Sequence, residues 1–155
     1  MRLTLADLVL QGMPEALATV AFCFALLGIR WRWQPMLVIA AGTLAIIYIV
    51  RLLHVGFGVH TLFAAIGLAF LITLLVRQPL RKALIAAIAT LVTVGALEIG
   101  WTLAIMRLWN VDLTALRRND VLWALAGLPH VAVLFLLAVF IARRRNAAVF
   151  ARMGL

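Results

Sequence analysis

Five long apolar runs, separated by short polar joints, organise this chain. They fall at Pro14–Ile29, Pro35–Leu53, Val59–Val76, Ala83–Met106 and Val121–Ala142. A helix needs roughly 20 apolar residues to cross about 30 Å of hydrocarbon, and these runs are near that length. Alternating strands of about ten residues, the pattern of a membrane barrel, do not occur. Backbone groups in lipid are then satisfied within helices. Pro35 and Pro79 stand at or just before predicted helix starts, where a missing N–H costs nothing. Pro129 lies inside the fifth run, where it predicts a kink or a loosened first turn. The segment "LTLADLVLQG", within residues 1–12, either lengthens the first helix or lies along the interface.

Composition turns these runs into a fold class. The 155 residues are 67% hydrophobic, where a soluble domain is about half apolar. The expectation is an all-α integral membrane protein, a single bundle of about five transmembrane helices. A faint repeat relates "QPMLVIAAGTLAII" at Gln34 to "QPLRKALIAAIATL" at Gln78, and predicts two parallel hairpins plus a fifth helix.

Charge sets the orientation. The net charge is +9, but the basic residues gather at the ends of apolar runs, so topology and anionic lipid explain it better than nucleic acid. With the N-terminus outside, the inner side holds Arg30, Arg32, Arg77, Arg81, Lys82, Arg143, Arg144, Arg145 and Arg152. The outer side holds Arg2, Arg51, Arg107, Arg117 and Arg118, so nine against five favours N-out and C-in. Trp31 and Trp33 then form an inner belt, Trp109 and Trp123 an outer one. Residues 143–155 form a basic cytoplasmic tail whose Arg143, Arg144 and Arg145 contact anionic lipid or a partner at the inner face. The N-terminus carries Asp7 and Pro14-Glu15 ahead of the apolar run, which is not the form of a cleavable signal peptide. Cys23 is the single cysteine and reads as a small buried hydrophobe.

Ionisable residues inside hydrocarbon are expensive and usually face protein or water. This topology puts all of them in the outer half of the membrane or at its outer edge. Arg51, His54, His60, Glu98 and His130 are the candidate polar pocket, with Glu15 and Arg107 at its rim. Thr43, Ile47, Arg51 and His54 share one face of the second helix. Ala87, Gly95, Glu98 and Thr102 share a face of the fourth, which predicts that Glu98 points into the bundle with Arg51 or Arg107 as its partner. The same pair also fits a purely architectural role, fixing helix register.

The motifs of common chemistry do not occur. The chain has no Gly-rich phosphate loop, nucleophile elbow, zinc motif or closely spaced carboxylate pair. The three histidines belong to separate helix ends and match no metal motif. The expectation is a non-catalytic protein without cofactor or metal.

The order of features resembles a known arrangement. "GMPEALATVAFCFALLGIRW", "VRLLHVGFGVHTLF", "ALEIGWTLAIM" and "GLPHVAVLFLLAVFIARRR" follow one another along residues 10 to 145. In this the chain resembles the membrane sensor region of accessory-gene-regulator-type receptor histidine kinases of Gram-positive bacteria. The residues that carry the resemblance are Pro14-Glu15, Arg51, Phe57-Gly58, His60-Thr61, Glu98 and Gly127-Leu128-Pro129. The resemblance implies a bundle that reads an extracellular peptide or small signal and passes a helix movement inward. No phosphoacceptor helix or ATP-binding domain follows "RRR", so the signal is expected to pass to a separate protein.

Three functions follow as expectations. The first is a bacterial inner-membrane module that binds a signal, or a partner's transmembrane segment, in an outward-facing polar pocket. It would couple that event to a cytoplasmic or membrane partner, or to another copy of itself. The second is a small oligomeric transporter using Glu98 and Glu15. The third is a structural or assembly subunit of a larger membrane complex.

Overall fold

The structure, a computed structural model, describes residues 11–52, 59–109 and 120–152. All of its elements are α-helices: α1 Met13–Leu27, α2 Trp33–Leu52, α3 Val59–Val76, α4 Leu80–Trp109 and α5 Asp120–Arg152. Segments of α2, α4 and α5 are long and apolar enough to cross a membrane, at Trp33–Val50, Leu80–Leu108 and Leu125–Arg145. Large apolar side chains such as Val92, Ile99, Leu108, Leu136 and Phe140 cover the outside of the bundle. That surface suits lipid and would drive association in water. The chain is a multi-pass membrane protein.

The helix at the centre is α1. It packs against α5, α2 and α4, while α3 sits outside, between α2 and α4. Val20, Ala21, Cys23 and Phe24 are wholly buried, and Ala18 and Ala25 nearly so. A helix apolar on every side belongs in such a core. Its small residues let three neighbours approach at once, which matters in lipid, where no hydrophobic force drives helices together. Its 15 residues span only about 22 Å, less than the hydrocarbon thickness. Cys23 lies beside Thr90 of α4.

The α1–α5 contact is the most extensive in the bundle. On α5, buried Val131, Leu134 and Ala138 continue the spacing begun at Gly127 and carried on by Ile141, Ala142 and Arg145. Steps of three and four give the seam of a left-handed helix pair. Each end of this seam is closed by one glycine. At Gly127 a Cβ would come within 2.6 Å of the Gln11 amide nitrogen. At Gly28, beyond α1, it would meet the Arg145 guanidinium at 3.2 Å.

Gly28 also ends α1. Its φ of 71° is left-handed, and the N–H groups of Gly28 and Ile29 donate to Ala25 and Phe24. This is the Schellman closure that glycine serves best. Arg145 Nη1 then donates to the Ala25 carbonyl at 3.2 Å and to the Leu26 carbonyl. A cation at a helix C-terminus is also favoured by the helix dipole.

The α2–α3 hairpin packs through reciprocal glycines: Gly67 faces the end of Ile46, and Gly42 the end of Leu71. A duplicated hairpin would pack α4 on α5 in the same way. It does not, because α5 is committed to α1 and touches α4 lightly. Trp31 also departs from expectation. It is half-buried and meets Phe135 at 5.5 Å, so only Trp33, 67% exposed, lies at the surface as a belt residue would. Helix α5 runs unbroken through Pro129 and on to Arg152, so the first part of the basic tail continues the helix.

Two predictions follow from the helix ends. Arg145→Ala removes the cap on α1 and should cost about 1 kcal/mol. Thermal unfolding in detergent should then show a Tm lower by about 2–4 °C. Arg77, which follows α3, is the non-glycine residue with positive φ among the described residues, at 57°. That conformation costs about 1–2 kcal/mol for most side chains and less for Asn. Arg77→Asn should therefore raise the Tm, and an unchanged or lower value would show that the charge outweighs the backbone.

Candidate functional site

Hydroxyl groups are the first polar side chains to account for. Thr19, Thr43, Thr73, Thr90 and Thr93 each donate to the carbonyl four residues earlier, at 2.7–2.9 Å. Each is satisfied within its own helix, so Thr43 and Thr90 are buried without forming a polar pocket. The buried side-chain N or O atoms left without a partner, among the described residues, are Trp31 Nε1 and His130 Nε2. Trp31 stands toward the Arg145 end of the bundle and His130 toward the opposite end.

His130 is 3% exposed and lies one residue after Pro129. Pro129 cannot donate to the Leu125 carbonyl, and its ring crowds that group. In the same turn, the Trp101 indole of α4 donates to the Ala126 carbonyl at 2.6 Å. This bond ties α4 to α5 where they otherwise touch little. Beside it a cleft of about 180 Å³ opens between the two helices, lined by Ala96, Leu97, Gly100, Trp101, His130 and Val133. Ala96, Gly100 and Val133 are exposed, so the cleft opens sideways onto the apolar surface of the bundle.

Glu98 stands on the other flank of α4. It does not line the cleft. The structure corrects its expected direction. Glu98 is exposed rather than turned inward, and no hydrogen bond or ion pair holds it among the described residues. The inward stripe of this part of α4 is Val94, Leu97 and Trp101, and Glu98 falls at its edge. Arg107 is exposed as well. Nine residues after Glu98, it lies on the opposite face and about 13 Å along the axis, so the two cannot pair.

The remaining candidates are distributed. Glu15 is half-buried near the start of α1, its carbonyl accepting from Thr19. Arg51 ends α2 and His60 begins α3, but their side chains lie outside the described residues. His54 lies outside them entirely. Arg143 is exposed, Arg144 stacks on Phe140 at 4.7 Å, and Arg145 holds α1. No group of three His, Cys, Asp or Glu able to hold a metal occurs among the described residues.

Trp101 and Gln11 were not singled out by the sequence pattern. Trp101 offered a signal: an indole eight residues inside the end of α4 is too deep for an interfacial belt, and its N–H must find a partner. Gln11 offered none, because its role depends on the absence of a side chain at Gly127.

Comparison with family models, with curated proteins and with solved structures finds no match.

Trp101→Phe keeps the ring and deletes the bond to Ala126. It should cost about 1 kcal/mol, read as a lower Tm in detergent. The control is Trp33→Phe at the exposed position, which should leave the Tm unchanged.

Proposed function

We propose that this chain is a five-helix, non-catalytic module of the bacterial inner membrane, N-terminus outside and C-terminus inside. It receives the transmembrane segment of a partner protein against the exposed face of α4. The single observation that supports this reading is Glu98. It stands exposed on a membrane-crossing helix without an ion pair or hydrogen bond among the described residues. A charged side chain facing lipid near mid-membrane costs about 2.5–3.5 kcal/mol or more, so such groups are covered by protein. The positions around it fit a docking helix. A Cβ at Gly95 would meet nothing within 4 Å, and Ile99 is exposed beside it. Small residues admit a close helix, and the partner would bring an Arg, Lys or hydrogen-bond donor to the carboxylate.

The route inward is α5. It is continuous from the Trp101–Ala126 bond to Arg145, which grips the end of the central helix. Displacement of α4 by a docked helix would shift α5 and the basic residues Arg143 and Arg144 at the cytoplasmic face. This matches the sensing role that the sequence resemblance implies.

Affinity purification from native membranes, with mass spectrometry of bound proteins, tests the reading. Wild type should retain a defined membrane protein, and Glu98→Leu should lose it while keeping or raising its Tm. Equal retention by both proteins would remove Glu98 from the interface. An assembly of this chain alone, broken by Glu98→Leu, would overturn the separate partner in favour of a homo-oligomer.

A further inference from the structure

We infer that the corner between the α1–α2 joint and the end of α5 binds the phosphate group of an anionic lipid, held by Arg30, Arg32 and Arg143. The first observation is a charge that the chain does not balance. No Asp or Glu occurs in residues 16–97 or 121–155. Glu15 and Asp120 stand at the starts of α1 and α5, at the opposite end of the bundle, and Glu98 lies in the second half of α4. Arg30, Arg32 and Arg143 are all exposed. Like charges gathered at one end repel, and an anion from outside the chain relieves them.

Two contacts bring these arginines to one corner. Arg145 donates to the carbonyls of Ala25 and Leu26 and packs on Gly28. Trp31, between Arg30 and Arg32, sets its ring against Phe135 of α5. The α1–α2 joint is therefore fixed against α5. At 100° per residue, Arg143 falls about 80° round the helix from Phe135, and Arg144 about 180°. The side chain of Arg143 also leans back toward the helix N-terminus, and so toward Trp31. Arg144 lies instead over the exposed ring of Phe140. The three tail arginines thus divide. Arg145 turns in to close α1, Arg144 takes the far flank, and Arg143 joins Arg30 and Arg32.

Height and chemistry select the occupant. The membrane-crossing segments of α2 and α5 begin at Trp33 and end at Arg145, so each of the three arginines stands within three residues of a span end. This is the level of the lipid headgroups, and the exposed Trp33 suits it. A guanidinium offers donors in a fork that matches two phosphate oxygens. A zwitterionic head brings its own ammonium, so three unbalanced arginines select a head with net negative charge. Leu136, seven residues before Arg143 and on the same face, is 66% exposed and gives an acyl chain a surface to follow. A soluble polyanion would leave that surface uncovered.

This corner is at the opposite end of α4 from the Glu98 face, and its test involves no partner protein. The full chain in neutral detergent would be offered equal amounts of phosphatidylglycerol and phosphatidylcholine with the same acyl chains. Native mass spectrometry would count the lipids retained. Wild type should prefer phosphatidylglycerol. Arg143→Gln should reduce that preference about fivefold, the scale of one basic side chain at an anionic surface, and Arg30→Gln with Arg32→Gln should reduce it further. These side chains are exposed, so the lipid-free Tm should match wild type in both variants. Two controls remove equal charge elsewhere at the same end: Arg144→Gln, and Arg81→Gln with Lys82→Gln at the α3–α4 joint. Both should keep the wild-type preference. Equal retention of the two lipids by wild type would overturn the site. Equal losses in controls and test variants would also overturn it, because a diffuse charge would then suffice. Inorganic phosphate that raises the Tm as much as phosphatidylglycerol does would replace the lipid with a soluble anion.

Discussion

The pairing of α1 with α5 governs the rest of the bundle. In lipid, helices gain nothing from leaving water, so association depends on close packing and on satisfying every polar group. The two helices meet both demands. Small residues on α1 and the three-four seam on α5 bring the backbones together, and glycines at the two ends admit Gln11 and Arg145. Arg145 serves a second purpose, because the last carbonyls of a helix have no intrahelical donors. A side chain that packs the seam also closes the shorter helix.

What α5 gives to α1 it withholds from α4. The second half of α4 packs inward through Val94, Leu97 and Trp101, while both flanks stay open. One flank becomes the cleft and the other presents Glu98. A hydrogen bond from the Trp101 indole to the Ala126 carbonyl, placed in the turn weakened by Pro129, holds α4 to α5 there. The polar groups left unresolved are thus the product of one packing choice: a central helix that takes the best surface of its neighbour.

Much of the fold was legible because its signals are one-dimensional. Apolar run length, proline at helix starts and the cluster "RQPLRK" located the helices to within a few residues, except that α5 runs ten residues past the expected end at Ala142, through "RRR". Direction was harder. In a soluble helix, polarity marks the outside, but here both the core and the lipid face are apolar. Face-sharing at 100° per residue put Glu98 with Ala87, which is buried, yet Glu98 itself is exposed, because Val94 and Trp101 set the inward direction. The apolar run in which Glu98 and His130 each fall could be read from sequence. The flank on which each sits could not. The pairings of Gly28 with Arg145 and of Gly127 with Gln11 join residues more than a hundred positions apart, and only the assembled bundle reveals them.

The positions of Glu98 and His130 make α4 the element on which events at the two flanks can meet. The Glu98 flank of α4 is open, and on the other flank a cleft separates α4 from α5. Across that cleft α4 and α5 touch lightly, so a force on either flank of α4 acts on the same separation. Coupling between sites requires such a shared element with more than one arrangement. Small changes there are carried by α5, which the seam holds as one body with α1 as far as Arg145. The bond from the Trp101 indole to the Ala126 carbonyl then carries the load between the two helices at this level.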